Sequence, residues 1–151
     1  MFTTVRYFIK TSIAFLMLGL LSGLHMLYAM KITKSGFTAG MITAHTHMLL
    51  VGFVLMMIMG VALWFFPRAE KEDKRYNPTL IWITYFLMSA GTLLRFSFEI
   101  LNSYLVIQFF DIIITISGTF QVLAVILFFY SMWGRIRSVG SHIREAKGER
   151  F

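Results

Sequence analysis

The chain has 151 residues, of which 58% are hydrophobic and 14% charged, with a net charge of +7, no cysteine and only two prolines. A soluble domain of this size carries about a quarter charged residues, so the composition points to one integral membrane domain. The lack of cysteine excludes disulfides, thiolate metal sites, iron–sulfur clusters and covalently attached c-type haem. The basic balance does not imply nucleic acid. Most of the Lys and Arg stand where helix ends are expected, which suits topology and lipid headgroups.

In chain order, a short amphipathic lead-in carries Arg6 and Lys10, and a first membrane helix is expected over residues 9–30. That apolar run is too long for a signal-peptide core and lacks a small-residue cleavage site, so it reads as a retained helix. Gly19, Ser22 and Gly23 form a small-residue strip suited to close helix packing, and His25 lies towards the far end. A polar loop over residues 31–40 follows, with Gly36 near its centre.

The second helix is expected over residues 41–66, and Met48 to Phe66 gives 19 residues without a charge. At 1.5 Å per residue that is about 28 Å, nearly the thickness of a bilayer core. His45 and His47 stand at its entrance, and Pro67-Arg68 and a charge run to Arg75 mark its exit. Pro78 fits the first turn of a third helix over residues 78–99. A turn over 101–106 then leads to a fourth helix over 107–133, and a basic tail occupies 134–151, where His142 reads as a surface residue. The expected fold class is all-α, a four-helix transmembrane bundle. Eleven Lys and Arg fall on the side of the termini and three, counting Arg95, on the other. The positive-inside rule then makes both termini cytoplasmic and puts the histidine end at the outer face of a bacterial or archaeal cytoplasmic membrane.

Imidazole is costly to bury in lipid without a partner, and it is the commonest metal and haem-iron ligand. His25 and His47 are each eleven residues from Gly36, so a symmetric hairpin brings them to similar depth. His45 and His47, about 200° apart on a helix, face different partners. His45 shares a face with Gly52, and a glycine there leaves room for something flat. Arg95, Glu99 and Asp111 belong to the same layer. A buried Arg needs an anion, either one of those carboxylates as a staple between helices or a carboxylate such as a haem propionate. Met26 and Met48 are further candidate axial or copper ligands, though the methionines scatter as packing residues do. Gln121 reads as an interhelical hydrogen bond.

Thr43-Ala44-His45, the glycine-bearing apolar helix after it and Pro67-Arg68 resemble the helix of haem-copper oxidase and nitric oxide reductase subunit I that supplies a low-spin haem ligand. Gly91-Thr92-Leu93-Leu94-Arg95, Ser117-Gly118-Thr119-Phe120-Gln121 and Trp133-Gly134-Arg135 are similar to small four-helix proteins described as oxidase subunit-I-like, a resemblance covering most of the chain. It implies haem b bound through His45, with His25, His47 or a histidine of another subunit completing the iron's coordination, and with Arg95 and Gly52 around the cofactor. The later subunit-I helices that carry the second low-spin ligand and the copper-binding histidines have no counterpart among these four, so oxygen reduction at a haem–copper centre is not implied. The expected activity is electron transfer, or sensing or handling of a diatomic gas, by a homo-oligomer with a quinol or cytochrome as redox partner. A copper or zinc site on His25, His45 and His47 is the alternative. A non-catalytic accessory subunit of a respiratory complex is another. A small membrane enzyme of the glutathione-transferase-like type would need its charged cofactor site at the cytoplasmic end, and here the intramembrane charges lie at the other.

Overall fold

The computed structural model describes residues 3–67, 75, 77–136, 140, 143, 144, 147 and 148. Most of the charge run 68–75, His142 and most of the basic tail lie outside the described residues. The chain forms four long apolar helices: α1 (Thr3–Thr33), α2 (Ala39–Phe65), α3 (Pro78–Tyr104) and α4 (Gln108–Arg135), each long enough to cross a membrane. Their outer surfaces carry large apolar side chains such as Leu20, Leu21, Leu24, Ile58, Phe86 and Ile126. Ser12, Thr84, Thr92, Glu99, Ser117, Gln121 and Arg135 are buried. Polar groups turned inward beneath an apolar exterior are what a hydrocarbon surround demands, since lipid offers them no hydrogen bonds.

Helix ends follow local chemistry. Asn77 caps α3, its side chain accepting from the Thr79 N–H, with Pro78 in the first turn where its missing N–H costs nothing. Thr38 caps α2 by accepting from the Met41 N–H. Between α1 and α2 the backbone turns through Lys34 and Gly36, both at positive φ (56° and 74°). Three boundaries differ from expectation. α1 starts at Thr3, so Arg6 and Lys10 lie within it. The last turn of α1, Ala29–Thr33, is a π-helix. α3 runs on to Tyr104, because 100–104 contains no Gly or Pro to stop it and Ser103 bonds back to the Glu99 carbonyl. The α3–α4 turn is correspondingly tight, and Asn102 closes it by accepting from the Ile107 N–H.

α1 and α2 pack antiparallel with a small residue against a large one at each level. Gly23 seats His45, Gly19 seats Leu49, Gly52 receives Phe15, and Gly60 meets Phe8 and Ile9. α3 and α4 approach as closely, a Cβ on Gly91 lying 2.8 Å from the Ser117 carbonyl oxygen. A buried core of Phe8, Phe15, Met48, Met56, Met88, Ala124 and Phe128 runs between the pairs. α4 packs mainly on α3. At the end bearing the termini, Arg135 joins it to α2. Buried, Arg135 donates from Nε to the Pro67 carbonyl and from Nη2 to those of Leu63 and Phe66. A cation there satisfies carbonyls that the end of a helix leaves open. The opposite end carries both hairpin connections, and around the middle of the spans α2 and α4 leave a groove between them.

Candidate functional site

The middle of α2, Met48–Leu55, is a π-helix immediately after the histidine pair. π segments advance the chain by a smaller angle per residue than an α-helix and recur at functional sites. This one changes which faces the flanking side chains present.

His45 points at α1. Its Nδ1 lies 2.9 Å from the Gly19 carbonyl oxygen and 3.1 Å from Ser22 Oγ. A carbonyl only accepts, so Nδ1 carries the proton and Nε2 keeps its lone pair. The ring fills the place of a Gly23 side chain, with Cε1 2.8 Å from where a Cβ would stand. The Gly19–Ser22–Gly23 strip therefore packs helices as expected, and what it packs is His45.

His47 points elsewhere. Its Nδ1 donates to the Thr43 carbonyl at 2.9 Å, again leaving Nε2 as the basic nitrogen. It lines the groove between α2 and α4, a cavity of 330 Å³ with Arg95 of α3 and Gly118 and Gln121 of α4. Val51, Leu55 and Val125 are among its apolar walls.

Arg95 is held rather than floating. Its Nε donates to Glu99 Oε1 at 2.9 Å and its Nη1 to Gln121 Oε1 at 3.3 Å, while Gln121 Nε2 donates to Thr92 Oγ1 at 3.1 Å. Gln121 thus makes the interhelical bond expected of it. Gly118 makes room for the guanidinium, whose Nη1 lies 3.4 Å from a Cβ built there. The alternative pairing with Asp111 does not form: Asp111 is exposed in the first turn of α4 and accepts from Asn102 Nδ2. Arg95 Nη2 makes no hydrogen bond with a described residue.

His25 is exposed and lines a separate cavity of 760 Å³ at the hairpin end, with Tyr28, Phe37, Met41 and Tyr104. The expected similar depth of His25 and His47 does not hold. The α1–α2 contacts pair residues whose numbers sum to about 68, which sets Leu21 opposite His47 and Thr43 opposite His25. That places His47 roughly 6 Å deeper. The reason is the asymmetric hairpin, in which α1 extends a turn beyond the start of α2 and the chain runs back along it. The three histidines therefore reach three surroundings. Among the described residues no group of three or more His, Cys, Asp or Glu is placed to hold a metal ion.

Two further expectations change. No space for a flat group lies beside Gly52, because a Cβ there would stand 2.8 Å from Thr92 Cγ2 and 3.0 Å from Phe15 Cδ2. It is a packing glycine. Met48 is fully buried in the core, away from the groove lining, and Met26 is half-buried on α1. The groove residues Gly118 and Val125 carried no signal of their own in the sequence beyond the Ser117–Gln121 stretch.

Comparison with protein-family models, with curated proteins and with solved structures gives no match.

Proposed function

We propose that the chain is a membrane haem b protein in which His47 offers the iron ligand and Arg95 meets a propionate. It would act in electron transfer or in the handling of a diatomic gas. The observation that carries this reading is that one groove joins a histidine with a free Nε2, a guanidinium with an unused Nη2, and apolar walls. That donor set fits a haem: a neutral imidazole oriented by a backbone carbonyl for the iron, a cation for the carboxylates, and an apolar lining for the macrocycle. The volume of 330 Å³ lies at the lower end of the range for ligand sites, and the groove is open along one side. A haem there would be partly covered by lipid or by a second copy of the chain, in keeping with a homo-oligomer.

Bound haem would supply one-electron chemistry and a coordination position for a gas. The chain's residues do the rest. Thr43 fixes the tautomer of His47, the Glu99–Arg95–Gln121–Thr92 chain holds the guanidinium at the groove wall, and Gly118 gives it room. His45, the ligand that the resemblance implies, is engaged with α1 on another face. His47 is therefore the better candidate. His47 is the one histidine in the groove lining, so the other axial position is left to a gas or to a neighbouring copy. With the hairpin end outward, as the charge distribution implies, the groove lies around the middle of the spans with His47 and Arg95 on its outer side, and a quinol or a cytochrome would serve as redox partner. The copper or zinc reading requires the three histidines to converge, and their separate surroundings favour haem over it.

The test is a visible spectrum of protein purified from haem-replete cells. Haem occupancy gives a Soret band. Sharp reduced α and β bands indicate two protein ligands, and a broad band that carbon monoxide shifts indicates one. A colourless preparation that stays colourless with added haem refutes the proposal.

A further inference from the structure

Arg6 and Lys10 are exposed, one turn apart on α1, on the face opposite the buried Phe8 and Ser12. The register that seats Gly60 on Phe8 and Ile9 sets Lys10 opposite Ile58. Its Cα therefore lies about 10 Å inside the span, measured from the end of α2 at Phe65. Side chains on an α-helix lean towards its N-terminus, so both cations reach back towards the aqueous side that bears the termini. Tyr7 faces Trp82 of α3 at 5.3 Å, and Trp82 stacks on the exposed Phe86 at 5.9 Å and 26°. One level deeper, Thr11 and Tyr85 share a hydrogen bond of 2.8 Å. Tyr and Trp collect at the depth of the headgroups, so this cluster marks the interface, with Arg6 beside it. Neither cation has an ion pair or hydrogen bond with a described residue, and the acidic side chains among those residues, Glu99 and Asp111, stand at the hairpin end.

We propose that this face of α1 and α3 holds an anionic phospholipid of the leaflet on the side of the termini. A cation directed at hydrocarbon needs an anion, and the anion that the leaflet offers at this depth is a lipid phosphate. The Arg6 guanidinium can bind phosphate in bidentate fashion, and the Lys10 ammonium adds a point charge one turn away. The Tyr7–Trp82 pair then lies under the lipid's glycerol backbone, and Phe86, one turn further along α3, lies along an acyl chain. A second copy of the chain is disfavoured on this face, because a two-fold contact would set Arg6 and Lys10 against their own counterparts. The site is at the other end of the bundle from His25 and does not depend on what the groove binds.

The test is native mass spectrometry of the full chain released from nanodiscs of phosphatidylglycerol and phosphatidylcholine in equal parts. The chain should retain phosphatidylglycerol in preference to phosphatidylcholine. Arg6→Gln and Lys10→Gln lie on an exposed face and should leave the helical content unchanged. Each should lower the retained phosphatidylglycerol about 5-fold, and the two together about 30-fold. Lys31→Gln, an exposed cation at the hairpin end, is the control and should leave retention as it was. Equal retention of the two lipids overturns the proposal. So does unchanged retention in the double variant, or an equal loss in Lys31→Gln. Should the double variant unfold, the two single variants decide in its place.

Discussion

Replacing Arg95 by glutamine removes one of the few charges inside the bundle, and the structure sets the size of the effect. The substitution deletes the 2.9 Å bond to Glu99 and the 3.3 Å bond to Gln121, leaving both Glu99 oxygens without a charged partner. Stranding one member of a buried pair costs about 3–5 kcal/mol. Arg95 is 22% exposed, however, so solvent screens part of the loss, and about 2–3 kcal/mol is expected. Replacing Glu99 by glutamine as well removes the stranded charge, so the double variant should recover to within about 1 kcal/mol of the parent, a non-additivity of about 2 kcal/mol. Reversible unfolding in mixed micelles measures the cycle on haem-free protein. Additive costs, or a single-variant cost below about 0.5 kcal/mol, would refute the view that the pair is shielded from water. The stable double variant then isolates the ligand role of Arg95. Losing a charge-assisted contact of about 1.5–3 kcal/mol weakens haem binding about 10- to 150-fold, and unchanged affinity would exclude the propionate contact.

Gly23→Val should cost about 1–3 kcal/mol and break the His45–Gly19 bond, because the ring already occupies the Cβ position; an unchanged melting temperature would show that the seat yields. Arg135→Met keeps an apolar stem but removes the donors to the Leu63, Phe66 and Pro67 carbonyls, for a loss of about 2 kcal/mol measured by the same unfolding assay. Deleting Leu50, an exposed residue of the π segment, should let α2 close to an α-helix and turn the histidine end by roughly 100° against Gly60. Membrane insertion should survive that deletion while ligand binding is lost, as fractionation and the visible spectrum would show.

The four spans follow from runs of apolar residues longer than a bilayer core, and those runs survive any tertiary detail. Residue order alone could not orient the histidines. The α-helical count that pairs His45 with Gly52 assumes about 100° per residue throughout, and the π segment between them breaks that count. Counting outward from Gly36 assumed a symmetric hairpin. The π turn at Ala29–Thr33 and the returning chain shift the register instead. Arg95 could reach Glu99 or Asp111 on spacing alone. Its own helix offered the carboxylate one turn away, whereas Asp111 found Asn102 at the mouth of the turn. Arg135 read as the start of the basic tail. Its role as a cap on α2 depends on a helix end 68 residues earlier in the chain, a distance that no local pattern records.

The placement of the ligand on His47 rather than His45 is tested most directly by comparing the two alanine variants in one haem titration. His47→Ala should abolish the Soret band of the bound cofactor while the helical content stays unchanged. His45→Ala should keep the band and lose stability, since its ring is a packing element seated on Gly23. A band that persists in His47→Ala and vanishes in His45→Ala would contradict the groove assignment and return the ligand to the face on α1.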